Sequence, residues 1–121
     1  MALTDDPRAG ATVTFSGVVR DHDGGRGVIG IEYTAHPSAT DVLAGIADEF
    51  AETEGVHALA VVHRVGSLGV GDVALAAVVA ASHRQEAFAV ASGLVERVKQ
   101  ALPVWKRQLF TDGTAEWSNL P

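Results

Sequence analysis

Residues 82–108, SHRQEAFAVASGLVERVKQALPVWKRQ, carry the pattern that decides how this chain folds. Ser82 is a favourable helix N-cap, and Gln85 three residues later completes a capping box. Ala87, Phe88, Ala91, Leu94, Val95, Val98, Ala101 and Leu102 then recur at the helical period, so one face of a helix is buried. Pro103 drives Leu102 out of helical geometry and ends the run; residues 104–110 follow as a strand. In a chain of net charge -6, the stretch holds five of the nine Lys and Arg: Arg84, Arg97, Lys99, Lys106 and Arg107. His83 and Arg84 fall in the first turn, where free N–H groups and the helix dipole favour an anion and cations do nothing for the helix itself. Arg97 needs no more than the ordinary role of a cation near a helix C-terminus. A helix of about twenty residues is roughly 30 Å long, so Lys99 cannot meet His83 of its own chain; a folded-back strand or a second subunit has to bridge the gap. Lys106 and Arg107 are strand neighbours and point to opposite faces, which lets Lys106 return along the helix.

Working outward, residues 73–81, VALAAVVAA, are apolar on both faces and predict a central strand running straight into Ser82-His83-Arg84. Residues 59–65 form the strand before it, with Gly66, Gly69, Gly71 and Asp72 turning the chain between them. At the N-terminal end, residues 11–20 read as the first strand, with Gly17 marking a bulge or a close backbone approach. Residues 28–34 are the second, paired antiparallel with the first. Between them RDHDGGRG, residues 20–27, is a turn-rich loop. His22 with its two aspartates matches no metal-ligand spacing, so no metal site is expected. Arg20, at the end of a strand, is well placed to enter a loop-lined site. His36-Pro37 breaks the second strand. Ser38 or Thr40 then caps a helix with Val42, Leu43, Ile46, Ala47 and Phe50 on one face and Gly55 at its C′ position. Asp112-Gly113 is a turn, and residues 115–118 a short last strand. The order β-β-α-β-β-α-β-β predicts an α+β fold, two main helices on a mostly antiparallel sheet, in a single domain over residues 1–121 with residues 1–9 a loose lead-in.

Composition narrows the function. The core is built from small aliphatics: 47% of residues are hydrophobic and only seven are aromatic. No apolar run is long enough to span a membrane and no basic-then-apolar leader precedes the domain, so a cytoplasmic protein is expected. With no cysteine, disulfides, thiolate metal sites and a cysteine nucleophile are excluded; any sulfur chemistry must use sulfur brought by another molecule. Residues 1–60 carry ten Asp/Glu and three Arg, residues 61–121 five and six Lys/Arg. With a pI near 5.2, this argues against nucleic acid and for a small anionic ligand held by a few cations.

Phe15-Ser-Gly-Val-Val-Arg20, Ser82-His83-Arg84, Lys99 seven residues before Lys106, and Pro103-Val-Trp-Lys-Arg107 together resemble the molybdopterin synthase catalytic (large) subunit family. His63-Arg64-Val65-Gly66 and the Gly71-Asp72 turn also fit, and the resemblance spans about residues 10–117. It implies an α/β-hammerhead-like fold and a homodimer at the centre of a heterotetramer. The implied partner is a small ubiquitin-like sulfur carrier ending in Gly-Gly. Its C-terminal thiocarboxylate donates sulfur, twice, to cyclic pyranopterin monophosphate to make the molybdopterin dithiolene. Carried over position by position, Lys99 and Lys106 are the catalytic lysines. Val18, Val19, Arg20, His83, Arg84, Arg107 and Gln108 join them in the substrate and phosphate pocket. No resident cofactor is implied, because the pterin is substrate. The chain departs from the family pattern at Val104, where an aromatic is common, at Gln108, where an acid is common, and over residues 34–39, TAHPSA. Some members also use a basic residue in a C-terminal tail, and no Lys or Arg follows Arg107 here.

These residues suit that chemistry. Arginine grips phosphate through its planar fork, the role expected of Arg20 and Arg84, with the His83 backbone N–H assisting. Lysine, ordinarily protonated, acts as base or nucleophile when desolvated or crowded by other cations. One of Lys99 and Lys106 is expected to stabilise developing negative charge or move protons, and the other to hold the carrier's carboxyl end. Their order stays open. Two other classes use the same cations: a non-catalytic α+β module binding a small phosphorylated ligand, and an interaction protein whose basic rim receives an acidic partner.

Overall fold

The computed structural model describes residues 6–119. In chain order the elements are β1 (Ala11–Val18), β2 (His22–Asp23), β3 (Arg26–Ala35), α1 (Ala39–Ala51), β4 (Val56–His63), β5 (Gly66–Gly69), β6 (Val73–Ala81), α2 (Arg84–Ala101), β7 (Val104–Phe110) and β8 (Ala115–Asn119). This is the expected α+β order with two short strands, β2 and β5, added. All strand pairs are antiparallel. They form two sheets, β1-β6-β4 and β2-β3-β7-β8, with β5 also paired to β3.

β6 is central because its residues are apolar on both faces: Ala77 to Ala81 are all buried, with β1 on one side and β4 on the other. Leu75, Ala77 and Val79 face the two helices and join Leu94, Val98, Ile46 and Val104 in the main core. Most of the α2 stripe predicted from its period is buried; Phe88 and Ala101 stay exposed, and Val90 is buried besides. Leu94 is completely buried at the centre of that core. Leu94→Ala removes a side chain that rigid neighbours cannot replace, so it should cost about 2–5 kcal/mol, read as a lower midpoint in urea with an unchanged slope.

Several expectations are corrected. The first two long strands do not pair with each other. β1 lies against β6 and β3 against β7, in different sheets, and the chain leaves the first sheet at a register shift between Gly17 and Val18. Residues 20–27 are not only loop: Gly24 (φ +58°) and Gly25 (φ +80°) supply the two left-handed residues of a tight hairpin turn, pairing His22 with Gly27 and Asp23 with Arg26. Gly66–Gly69, read as part of a turn, is a strand paired with residues 30–33 of β3, anchored by the buried Leu68. Glycine permits that pairing at Gly30, where a Cβ would lie 2.8 Å from the Leu68 carbonyl oxygen. The strand expected over residues 59–65 runs instead from Val56 to His63. Gly55 is not the C′ residue of α1, which ends at the cap residue Glu52; at φ +88° it turns the chain into β4.

Ser82 is not the N-cap of α2. His83 is, in extended conformation, and no side chain caps the helix. The Ser82 hydroxyl is instead 2.6 Å from His57 Nε2, a partner 25 residues away that sequence spacing does not reveal. Residues 1–5 of the expected loose lead-in lie outside the described residues. Asp6 to Ala9 make a turn, with Ala9 N–H donating to the Asp6 carbonyl at 3.0 Å and Arg8 paired to the Asp6 carboxylate at 2.7 Å.

Candidate functional site

Helix α2 ends as its sequence demands. Leu102 is extended (φ -70°, ψ 124°), Pro103 follows, and β7 starts at Val104. The Pro103 carbonyl accepts the His36 N–H at 3.0 Å, fixing this corner to the end of β3. Lys99 and Lys106 stand on either side of this corner. Both line one cleft of about 220 Å³, set between the two sheets and closed by the C-terminal end of α2.

Strand register explains which side chains enter it. In β7, Lys106 and Gln108 lie opposite Tyr33 and Ile31 of β3, and all four share the cleft face. In the other sheet, Gly17, Leu75 and His63 stand in one row across β1, β6 and β4, and all three line the cleft. Val18, Arg20, His22 and Asp23 form its rim. Arg20 is held by its neighbour: Val19 N–H donates to the Asp72 carbonyl at 3.0 Å, the Val19 carbonyl accepts Gly71 N–H at 2.9 Å, and the Val19 side chain is buried. The Arg20 guanidinium remains exposed, with Asp23 at a loose 3.8 Å.

Of the residues named from sequence, the structure therefore brings Val18, Arg20, Lys99, Lys106 and Gln108 to one cleft. Val19 lies behind it, in a small core with Ile31, Leu68 and Ala74. Arg107 points to the opposite face of the sheet, where Nη1 donates to Glu32 at 2.6 Å. His83 and Arg84 are both exposed at the far end of α2, beside Gly10, Ala11 and Gln85. Fifteen residues separate Arg84 from Lys99 along one helix, about 22 Å at 1.5 Å per residue.

Four cleft residues were not expected from residue chemistry. His22 and Asp23 belong to the hairpin that sequence reads as loop. Tyr33 and His63 meet edge to face, their ring centroids 4.9 Å apart. Strand alternation was the available signal for Tyr33, since it shares the face of Ile31. The Nδ1 of His63 is 2.6 Å from the carbonyl oxygen of Arg64. Burial holds the His63 imidazole below its ordinary pKa and pushes the Tyr33 hydroxyl above its own, so both are neutral near pH 7.

An α+β protein with two lysines and an arginine lining one cleft has the hydrogen-bond donors to hold a small anion. The MoaE protein family model matches residues 1–101. The chain is 37% identical over 116 residues to the molybdopterin synthase catalytic subunit of Staphylococcus carnosus, covering 95% of this chain and 77% of that one. It is 39% identical over 107 residues to the Bacillus subtilis protein of the same name, covering 87% and 68%. The crystal structure of molybdopterin synthase from Staphylococcus aureus superposes with a TM-score of 0.89 at 33% identity, over 98% of this chain and 86% of that chain. The chain belongs to the MoaE protein family, whose members here are molybdopterin synthase catalytic subunits.

Proposed function

We propose that this chain transfers sulfur from the C-terminal thiocarboxylate of a small ubiquitin-like carrier to cyclic pyranopterin monophosphate, forming the dithiolene of molybdopterin. The observation that carries this reading is the meeting of Lys99 and Lys106, from two elements joined at Pro103, in one cleft with Arg20 and Gln108. A carrier tail ending in Gly-Gly suits such a cleft, because glycine brings no side chain that must be accommodated. The two ammonium groups face the acyl and sulfur centres. One holds the carrier's carboxyl end and the other meets the negative charge that develops as sulfur adds. With no cysteine in the chain, the sulfur arrives on the carrier. The reading assigns no resident metal or cofactor.

The cleft is smaller than the roughly 300–1,000 Å³ of pockets that bury a whole drug-sized ligand, so part of the substrate extends beyond it. Arg20 is the phosphate ligand at its rim. His83 and Arg84, too far along α2 to reach the same cleft, serve the cleft of a second copy in a homodimer, and a carrier subunit on each copy makes the assembly a heterotetramer. Val19 acts by holding Arg20, and Arg107 by bracing β7 against β3 through Glu32. No helix among the described residues is long and apolar enough to cross a membrane, and the reading includes a cytoplasmic site of action.

The test is direct. Incubation with thiocarboxylated carrier and cyclic pyranopterin monophosphate should yield the dithiolene product, and carrier with an ordinary carboxylate should yield none. Tight binding of the pterin without product would leave only a ligand-binding module.

A further inference from the structure

The donors of the cleft are plentiful and its acceptors few. Arg20, Lys99 and Lys106 offer hydrogen-bond donors only. The Asp23 carboxylate lies nearest Arg20, and His22 Nδ1 is engaged by Asp21 at 2.7 Å. Gln108 and the Tyr33 hydroxyl can accept, but neither changes charge near neutral pH.

His63 is different. A carbonyl oxygen can only accept, so the 2.6 Å contact with the Arg64 carbonyl requires a proton on Nδ1. In the neutral ring the lone pair then sits on Nε2. Among the described residues Nε2 has no protein partner, yet every fully buried side-chain nitrogen or oxygen there has one. Nε2 is therefore reached by solvent, from a ring that lines the cleft. The Arg64 carbonyl and the edge of Tyr33 together fix the plane of that ring.

We propose that His63 Nε2 accepts a hydrogen bond from a ring N–H of the pterin and, with Tyr33, sets the orientation in which the bicycle is presented to Lys99 and Lys106. The proposal rests on the substrate assigned above. A cationic cleft by itself attracts any phosphate; a fixed neutral acceptor selects a heterocycle carrying N–H donors. An analogue that lacks such a donor loses the hydrogen bond to Nε2 and binds more weakly. Protonation of Nε2 turns the acceptor into a donor and adds a cation to a cleft already facing Arg20, Lys99 and Lys106. Pterin binding is therefore strong above the folded-state pKa of His63, which burial holds below the ordinary value, and is lost as pH falls through it.

The experiment measures equilibrium binding of cyclic pyranopterin monophosphate and, separately, of inorganic phosphate, from pH 5 to 8, to the wild type, His63→Ala and His63→Gln. For His63→Ala, pterin binding should weaken about tenfold at pH 7.5, with phosphate binding unchanged and the acid-side loss of pterin affinity abolished. His63→Gln supplies an amide oxygen and should recover part of the affinity with no pH dependence. In turnover, KM should rise while kcat stays within a few-fold. Equal pterin affinity in the wild type and both variants overturns the proposal, as does an acid-side loss that persists in them. Should the alanine variant fail to fold, His63→Gln alone decides through its pH profile. A wild type that binds phosphate but not the pterin overturns the substrate assignment itself.

Discussion

Lys99→Ala and Lys106→Ala should each reduce sulfur transfer by at least about 10²-fold, the scale set by removing one pre-positioned group that meets developing charge in a transition state. Neither should unfold the protein. Lys99 is exposed in the last turn of α2 and Lys106 is half-buried at the cleft face of β7. Neither forms an ion pair among the described residues, so no carboxylate is left unpaired by its loss. Stability should stay within about 0.5 kcal/mol, as for surface changes generally. Lys106→Arg tests the role more sharply. The guanidinium keeps the charge but is planar, larger and unable to give up its proton. A surface that only receives an acidic partner tolerates the exchange; a group acting on the acyl or sulfur centre does not, and we expect turnover to fall with carrier binding retained. Near-normal turnover of either alanine variant with thiocarboxylated carrier counts against the assignment.

The long elements were legible in the sequence because their burial is encoded locally. The boundaries of β6 and β7 are those read from residues 73–81 and 104–110, and the α2 stripe follows from its period. Pairing was not legible. Adjacency in sequence suggests that the first two long strands pair, but a centre strand apolar on both faces takes β1 for itself. The short strands β2 and β5 escaped because glycine, the residue that reads as a turn, is what allows their tight hairpin and close approach. Ser82 had the right residue type for a cap, yet a histidine distant in sequence engages its hydroxyl. The same division holds for the site. The corner at Pro103 makes the convergence of Lys99 and Lys106 readable from spacing alone. Tyr33 and His63 come from different sheets, and their meeting depends on how those sheets are set against each other, which no local pattern encodes.

Mixing two defective variants, Arg84→Ala and Lys99→Ala, should restore activity. Arg84 and Lys99 stand at opposite ends of one rigid helix, about 22 Å apart, while the reaction needs the phosphate and the reacting carbons of one small substrate held together. In a two-fold dimer with shared sites, each cleft takes Lys99 from one copy and Arg84 from the other. Arg84→Ala alone should raise KM more than it lowers kcat, since its loss removes phosphate binding, and Lys99→Ala alone should abolish turnover. When the two variants are unfolded together and refolded, random pairing makes half the dimers mixed. Each mixed dimer holds one cleft with both residues intact and one with neither. At substrate concentrations well below the KM of Arg84→Ala, the mixture should therefore recover about a quarter of wild-type activity, the yield that two-fold symmetry dictates. If each chain carried its own complete site, every cleft in the mixture would lack one residue, and activity would not exceed the average of the two variants.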